Sequence, residues 1–143
     1  MSCGSHGKHV AFGASLGTDG NCGPFNVDTT LIFKNVYTNT GEYNKGTGIF
    51  TAPVEGIYYF SFSGHNNSCR PMGLKLMLNG KHILSVYNHA AGDRWETATN
   101  GMTLTLKAGD QVYMDLWANT WIMDNCNHHT TFTGFMIPPM SAV

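Results

Sequence analysis

Gly56-Ile57-Tyr58-Tyr59-Phe60-Ser61-Phe62-Ser63 is the stretch that decides the fold. Side chains alternate across a strand, so Tyr58, Phe60 and Phe62 share one face while Tyr59, Ser61 and Ser63 share the other. A helix gathers positions three and four apart and would scatter these rings around its circumference. The stretch follows the turn-prone Ala52-Pro53-Val54-Glu55, which gives the strand a defined start.

The same period recurs outward in both directions, and no segment sustains a helical one. Val10, Phe12, Ala14 and Leu16 mark a first strand, the Gly- and Asn-rich run from Gly17 to Pro24 reads as a loop, and a second strand covers Thr30 to Tyr37. Leu74, Leu76 and Leu78 lead into Asn79-Gly80, a strong hairpin signal, with Ile83 to Tyr87 returning. Met102, Leu104 and Leu106 connect through Lys107-Ala108-Gly109-Asp110 to Val112, Met114 and Leu116, which reads as a second hairpin. After a polar loop around Asp124 to His128, a last strand runs from Thr131 to Ile137 and stops at Pro138-Pro139, which lack ladder donors. Short strands at this spacing predict an all-β sandwich or jelly roll. Its apolar first and last strands are expected to pair in the middle of a sheet, where their edges are hidden.

A chain of 143 residues suits one domain with its own core. We assign it to residues 9–139, with tails at 1–8 and 140–143. Eight Lys and Arg against nine Asp and Glu give a net charge of -1 with no basic cluster, which argues against nucleic acid as a partner. No apolar run approaches the roughly 20 residues a spanning helix needs, so no membrane insertion is expected. Charged residues are only 12% of the chain, about half the usual share. Several strands also carry apolar groups on both faces: Tyr113 and Trp117 opposite Val112, Met114 and Leu116, and Ile57 and Tyr59 opposite Tyr58, Phe60 and Phe62. Both features predict a homo-oligomer burying the second face, unless curvature and loops cover that face within one subunit. Cys3, Cys22, Cys69 and Cys126 are widely spaced with no Cys-x-x-Cys pair, which leaves free thiols and three disulfide pairings open. Met1 to Lys8 has no apolar leader-like centre, so the residues alone assign no compartment.

One set of spacings goes further. Phe33, five residues, Asn39, then Tyr43, six residues, Phe50, five residues, Gly56, Tyr58, Phe60 and Phe62 form a continuous pattern. Val10 to Ala14, Leu106 to Tyr113, and Phe132-Thr133-Gly134-Phe135 extend it over nearly the whole chain. The pattern resembles the complement C1q globular-head domain, shared by C1q, adiponectin and the cerebellins. It departs from the usual spacing in one place, with three residues, Thr40-Gly41-Glu42, where the family has four. The resemblance implies a ten-stranded jelly roll similar to tumour necrosis factor, assembled as a homotrimer around an apolar axis and secreted to the extracellular space. It implies recognition and not catalysis, in one of two forms. The first is a complement-like innate pattern-recognition head binding glycan, anionic ligands or immunoglobulin. The alternative is a trimeric signalling ligand for a protein receptor, as in cerebellin or adiponectin.

Site residues are also carried over from the resemblance. Several relatives bind calcium near the trimer apex through acidic residues just before the strand start that is here Ala98-Thr99-Asn100-Gly101, which selects Glu96, with Asp93 close by; a second position falls on Asn88 instead of Asp. Family ligands use apical and lateral loops, here offering Arg94, Trp95, Trp121, Asp124, Asn125 and His128. An Arg beside exposed rings suits carboxylated or sugar ligands. The seven histidines show no metal or catalytic pattern and read as polar surface groups. Neither a Gly-x-Ser-x-Gly turn nor a paired carboxylate motif is present, and no enzyme is expected. Asn66-Asn67-Ser68 forms a glycosylation sequon in what reads as a loop.

Overall fold

Residues 9–139 are described by the computed structural model, and thirteen strands without a helix run through them. They are β1 (Ala11–Ser15), β2 (Gly20–Cys22), β3 (Thr29–Thr30), β4 (Asn35–Asn39), β5 (Tyr43–Asn44), β6 (Ile49–Thr51) and β7 (Gly56–Asn67), followed by β8 (Met72–Leu78), β9 (Lys81–Asn88), β10 (Trp95–Leu106), β11 (Gln111–Leu116), β12 (Ile122–Asp124) and β13 (Thr131–Ile137). The count exceeds the ten expected because β2, β3, β5, β6 and β12 are short pieces of two or three residues. The assigned tails and Cys3 lie outside the described residues.

Two antiparallel sheets pack face to face. One has the order β10-β7-β13-β1-β4, the other β5-β6-β11-β8-β9 with β3 beside β11, and β2 and β12 form a separate ribbon. As expected, the first and last strands are neighbours inside a sheet, with Ala11 opposite Phe135 and Ser15 opposite Thr131. The Asn79-Gly80 hairpin forms with both residues at positive φ, 51° and 83°, the backbone hand that a two-residue turn needs to match strand twist.

Two expectations are corrected. Lys107 to Asp110 does not close a hairpin, because β10 and β11 belong to different sheets; the turn is a corner held by the Asp110 carboxylate on the Lys107 N–H at 2.8 Å. Thr30 to Tyr37 is not one strand. Thr30 pairs with Asp115 of β11 and Asn35 with Ser15 of β1, and the chain crosses the sandwich between them with Leu31 and Phe33 sunk in the core. Alternation along one strand and a crossing between sheets leave the same apolar pattern, so periodicity alone could not separate them. The loop from Gly17 to Pro24 likewise contains β2, paired with β12 through Cys22 and Ile122.

Tyr58, Phe60, Phe62, Phe12, Phe132, Phe33 and Phe50 meet in the core, with Phe12 stacked on Tyr43 at 4.8 Å and edge-on to Phe132 at 4.9 Å. The Tyr43 hydroxyl donates to the Phe33 carbonyl at 2.8 Å and accepts the Phe33 N–H at 3.0 Å, and burial pushes its pKa up to about 12. Asn39 spans the short loop: its amide donates to the Tyr43 carbonyl at 2.7 Å, and its oxygen accepts the Gly41 and Tyr43 N–H groups. Three residues therefore suffice between Asn39 and Tyr43.

The two outer faces differ. On the six-stranded sheet Trp117 and Tyr87 meet edge-on at 5.3 Å and Lys75 lies over the indole at 4.6 Å, so this aromatic face is partly covered within one chain. On the five-stranded sheet Ile57 pairs with Ile137 and Tyr59 with Phe135, and Ile57, Phe135 and Ile137 remain 47%, 43% and 42% exposed.

Candidate functional site

The five-stranded sheet places the ends of β7, β1, β4, β10 and β13 along one rim, and most of the expected ligand residues stand there. From the β10 side, Trp95 stacks on His65 with ring centroids 5.6 Å apart, and His65 stacks on His129 at 4.0 Å and 17°. His65 is buried, not the surface histidine expected; its Nδ1 pairs with the Thr97 hydroxyl at 2.7 Å. Burial holds its pKa below the ordinary value, the neighbouring His129 adds to that, and Asp124 opposes both.

The remaining expected residues divide into two groups. Arg94 donates to Glu96 at 2.9 Å, and Asp93 accepts the Asn67 amide at 2.9 Å. Trp121 donates its indole N–H to the Asn67 carbonyl at 3.1 Å, with the Arg70 guanidinium 5.1 Å from its ring centre. Asn125 and His128 lie at the other end of the rim, in the turn between β12 and β13. Although adjacent, His128 and His129 diverge. His128, at φ 55°, reaches Ser15 Oγ at 3.3 Å and Tyr37 at 5.9 Å, whereas His129 joins the stack on His65.

Asp124 is corrected outright. It is fully buried at the end of β12 and presents nothing to solvent. One carboxylate oxygen accepts the His129 and Thr130 N–H groups at 2.9 and 3.4 Å, and the other accepts the Gly17 N–H at 3.2 Å. It ties the β1 exit to the β12–β13 turn and positions the rim. The sequon also fails to sit in a loop. Asn66 belongs to β7 with its side chain buried and donating to the Arg70 carbonyl at 2.9 Å, so a glycan on it is incompatible with this packing.

The donor set does not make a calcium cage within one chain. Calcium takes six to eight oxygens, whereas Glu96 is engaged by Arg94, Asp93 by Asn67, and no group of three acidic, His or Cys side chains converges among the described residues. Cys22, Cys69 and Cys126 are free thiols, with burial raising the pKa of Cys22.

Sequence reasoning missed Asp19, Asn35 and Tyr37. These residues, with Gly17, Thr18, Asn125 and His128, stand around or beside an open groove of about 530 Å³ at the β1–β4 end of the rim. The only available signal was the polar, Gly-rich run after the first strand, which reads simply as a connection.

Comparison with known proteins bears on most of the chain. The family model for the C1q domain matches residues 11–137. Complement C1q tumor necrosis factor-related protein 3 of Mus musculus is 32% identical over 130 residues, covering 90% of this chain and 51% of that protein. The chain thus spans about half the length of such relatives. Among solved structures, the globular domain of zebrafish complement 1qA superimposes with a TM-score of 0.72 at 21% identity, covering 90% of this chain and 98% of that one. Murine APRIL does so with a TM-score of 0.68 at 12% identity, covering 91% and 100%. Both likenesses speak to the fold. No helix among the described residues is long and apolar enough to cross a membrane.

Proposed function

The chain belongs to the C1q domain family, and from that premise we propose that it is a secreted, complement-like recognition head, a homotrimer that binds glycan, anionic or protein ligands through the loops at its rim. The observation that carries this is the outer face of the five-stranded sheet. Ile57, Tyr59, Phe135 and Ile137 lie side by side in register on it, and an exposed aromatic and aliphatic patch of this kind marks an association surface. Toward the rim the same face narrows to Ser61, Ser63, Thr99 and Thr133, small groups that let a second copy approach closely. Packing copies on this face leaves the rim loops free at one end of the assembly, where several copies of a weak site act together.

Light scattering on the purified protein tests the assembly: a mass three times the 15.6 kDa of the chain is expected, collapsing to one chain in Phe135→Glu and Ile57→Glu. A monomeric wild type overturns it. A glycan and microbial-ligand array run beside a cell-binding screen tests the recognition role. Binding to cells that no sugar competes, with a blank array, would instead favour a trimeric signalling ligand for a cell-surface receptor.

A further inference from the structure

We propose that the groove at the β1–β4 end of the rim is a saccharide subsite selective for neutral pyranose sugars. The inference rests on the recognition reading above and assigns its ligand class and place. Three segments converge there: the β1 exit through Thr18 and Asp19, the start of β4 at Asn35, and the β12–β13 turn with Asn125 and His128.

The polar groups lining the groove are held, and each keeps an unused valence among the described contacts. Asn35 donates to Ser15 Oγ at 2.8 Å, leaving its carbonyl oxygen as an acceptor. His128 meets the same hydroxyl through Nδ1, leaving Nε2. Asn125 accepts the Asn127 N–H at 2.9 Å, leaving its amide NH₂ as a donor. Asp19 is exposed and adds a carboxylate. Two acceptors, an amide donor and an imidazole nitrogen that serves in either role by tautomer stand around one groove and match vicinal hydroxyls, each of which donates one hydrogen bond and accepts others.

Two further features narrow the class. Tyr37, 64% exposed on β4 and just outside the groove's own lining, lies 5.9 Å from His128 with the two rings perpendicular, so a pyranose extending past His128 meets an aromatic ring for its C–H side. Asp19 is the one acidic side chain lining the groove and no Arg or Lys lines it, so sialylated, sulfated or uronic sugars meet a carboxylate with no cation to answer them. The site is also preorganised. Asp124 fixes both walls through Gly17 and His129, so little ordering remains for the ligand to drive.

The test is binding of the intact protein to surfaces coated with mannose, galactose, N-acetylglucosamine, sialic acid or heparin, with NMR titration of the matching methyl glycosides. Neutral sugars should bind best and shift the resonances of Asn35, Asn125 and His128. Asp19→Ala and Tyr37→Ala, both at exposed positions, should bind about tenfold more weakly or worse, as expected for losing a charge-assisted hydrogen bond or a stacking face. Lys107→Ala, exposed beyond the opposite end of β10, should bind as wild type. If neutral sugars bind but both variants match wild type, the location is wrong while glycan recognition stands. Preference for sialic acid or heparin overturns the ligand class. A protein that binds no saccharide on any surface overturns this proposal and the glycan reading together.

Discussion

Asp124→Ala should do more damage than its position in an expected loop would suggest. The carboxylate is fully buried and accepts three backbone N–H groups, at 2.9, 3.2 and 3.4 Å. Each orphaned donor shut off from water costs about 1–3 kcal/mol, and the exposed Gly17 N–H costs least because water replaces its bond. The longest contact contributes little, and releasing a desolvated charge returns part of the loss. The net loss is therefore about 3 kcal/mol, or a drop of about 10 °C in Tm for a domain of this size. Asp124→Asn keeps one acceptor oxygen for His129 and Thr130 but turns an NH₂ toward the Gly17 N–H, so its loss should be about half as large. Urea unfolding followed by tryptophan fluorescence measures both, at matched protein concentration because assembly couples to stability. Hydrogen exchange should show the His129 and Gly17 amides losing protection while β8 keeps its own. A loss below about 1 kcal/mol in the Ala variant, or an Asn variant as unstable as Ala, would refute the reasoning.

Gly134→Ala places a methyl 2.5 Å from Phe60 Cδ1 and 2.8 Å from Phe12 Cε1, both on buried rings in the packed core. It should cost about 2–3 kcal/mol from overpacking, and a variant within about 0.5 kcal/mol of wild type on denaturant titration would show that the rings can yield. The buried His65 makes folding sensitive to acid. Its pKa is held below the ordinary 6.5 by burial and by the adjacent His129, against the pull of Asp124, so the folded state binds fewer protons than the unfolded chain. Its contribution is complete above pH 6.5 and declines as pH falls below that value toward the folded pKa. His65→Gln should flatten this part of the stability profile, His129→Gln should raise the His65 pKa by NMR, and an unchanged profile in the first variant would count against the stack. Because Glu96 and Asp93 are already engaged, chelation should leave Tm unchanged; a rise with added calcium that Glu96→Ala abolishes would show that the assembly recruits them.

Where alternation was strict, the chain could be read directly. β13 runs from Thr131 to Ile137 and pairs with β1, as its apolar pattern implied, and Asn79-Gly80 makes its turn. Reading failed where one pattern serves two geometries. The apolar pattern between Thr30 and Tyr37 arises from a crossing between sheets, and the Lys107 to Asp110 turn rounds a corner instead of closing a ladder. Most of the residues singled out for the site stand along one rim of the five-stranded sheet, but the structure gives them other partners and other chemistry. Asp124 became a buried brace and His65 a buried ring stacked on His129, while Arg94 pairs with the nearby Glu96 and Trp121 with the Asn67 carbonyl 54 positions away.

The sequence by itself determined that this is an all-β domain with Tyr58, Phe60 and Phe62 on one face of a strand, because side-chain alternation depends only on neighbours along the chain. Its signature spacing also identified the family. Only the tertiary structure decided which polar residues meet. Asp124 reaches Gly17 across 107 positions and Ser15 reaches His128 across 113, and such contacts depend on how strand ends converge at the rim, which no local pattern encodes.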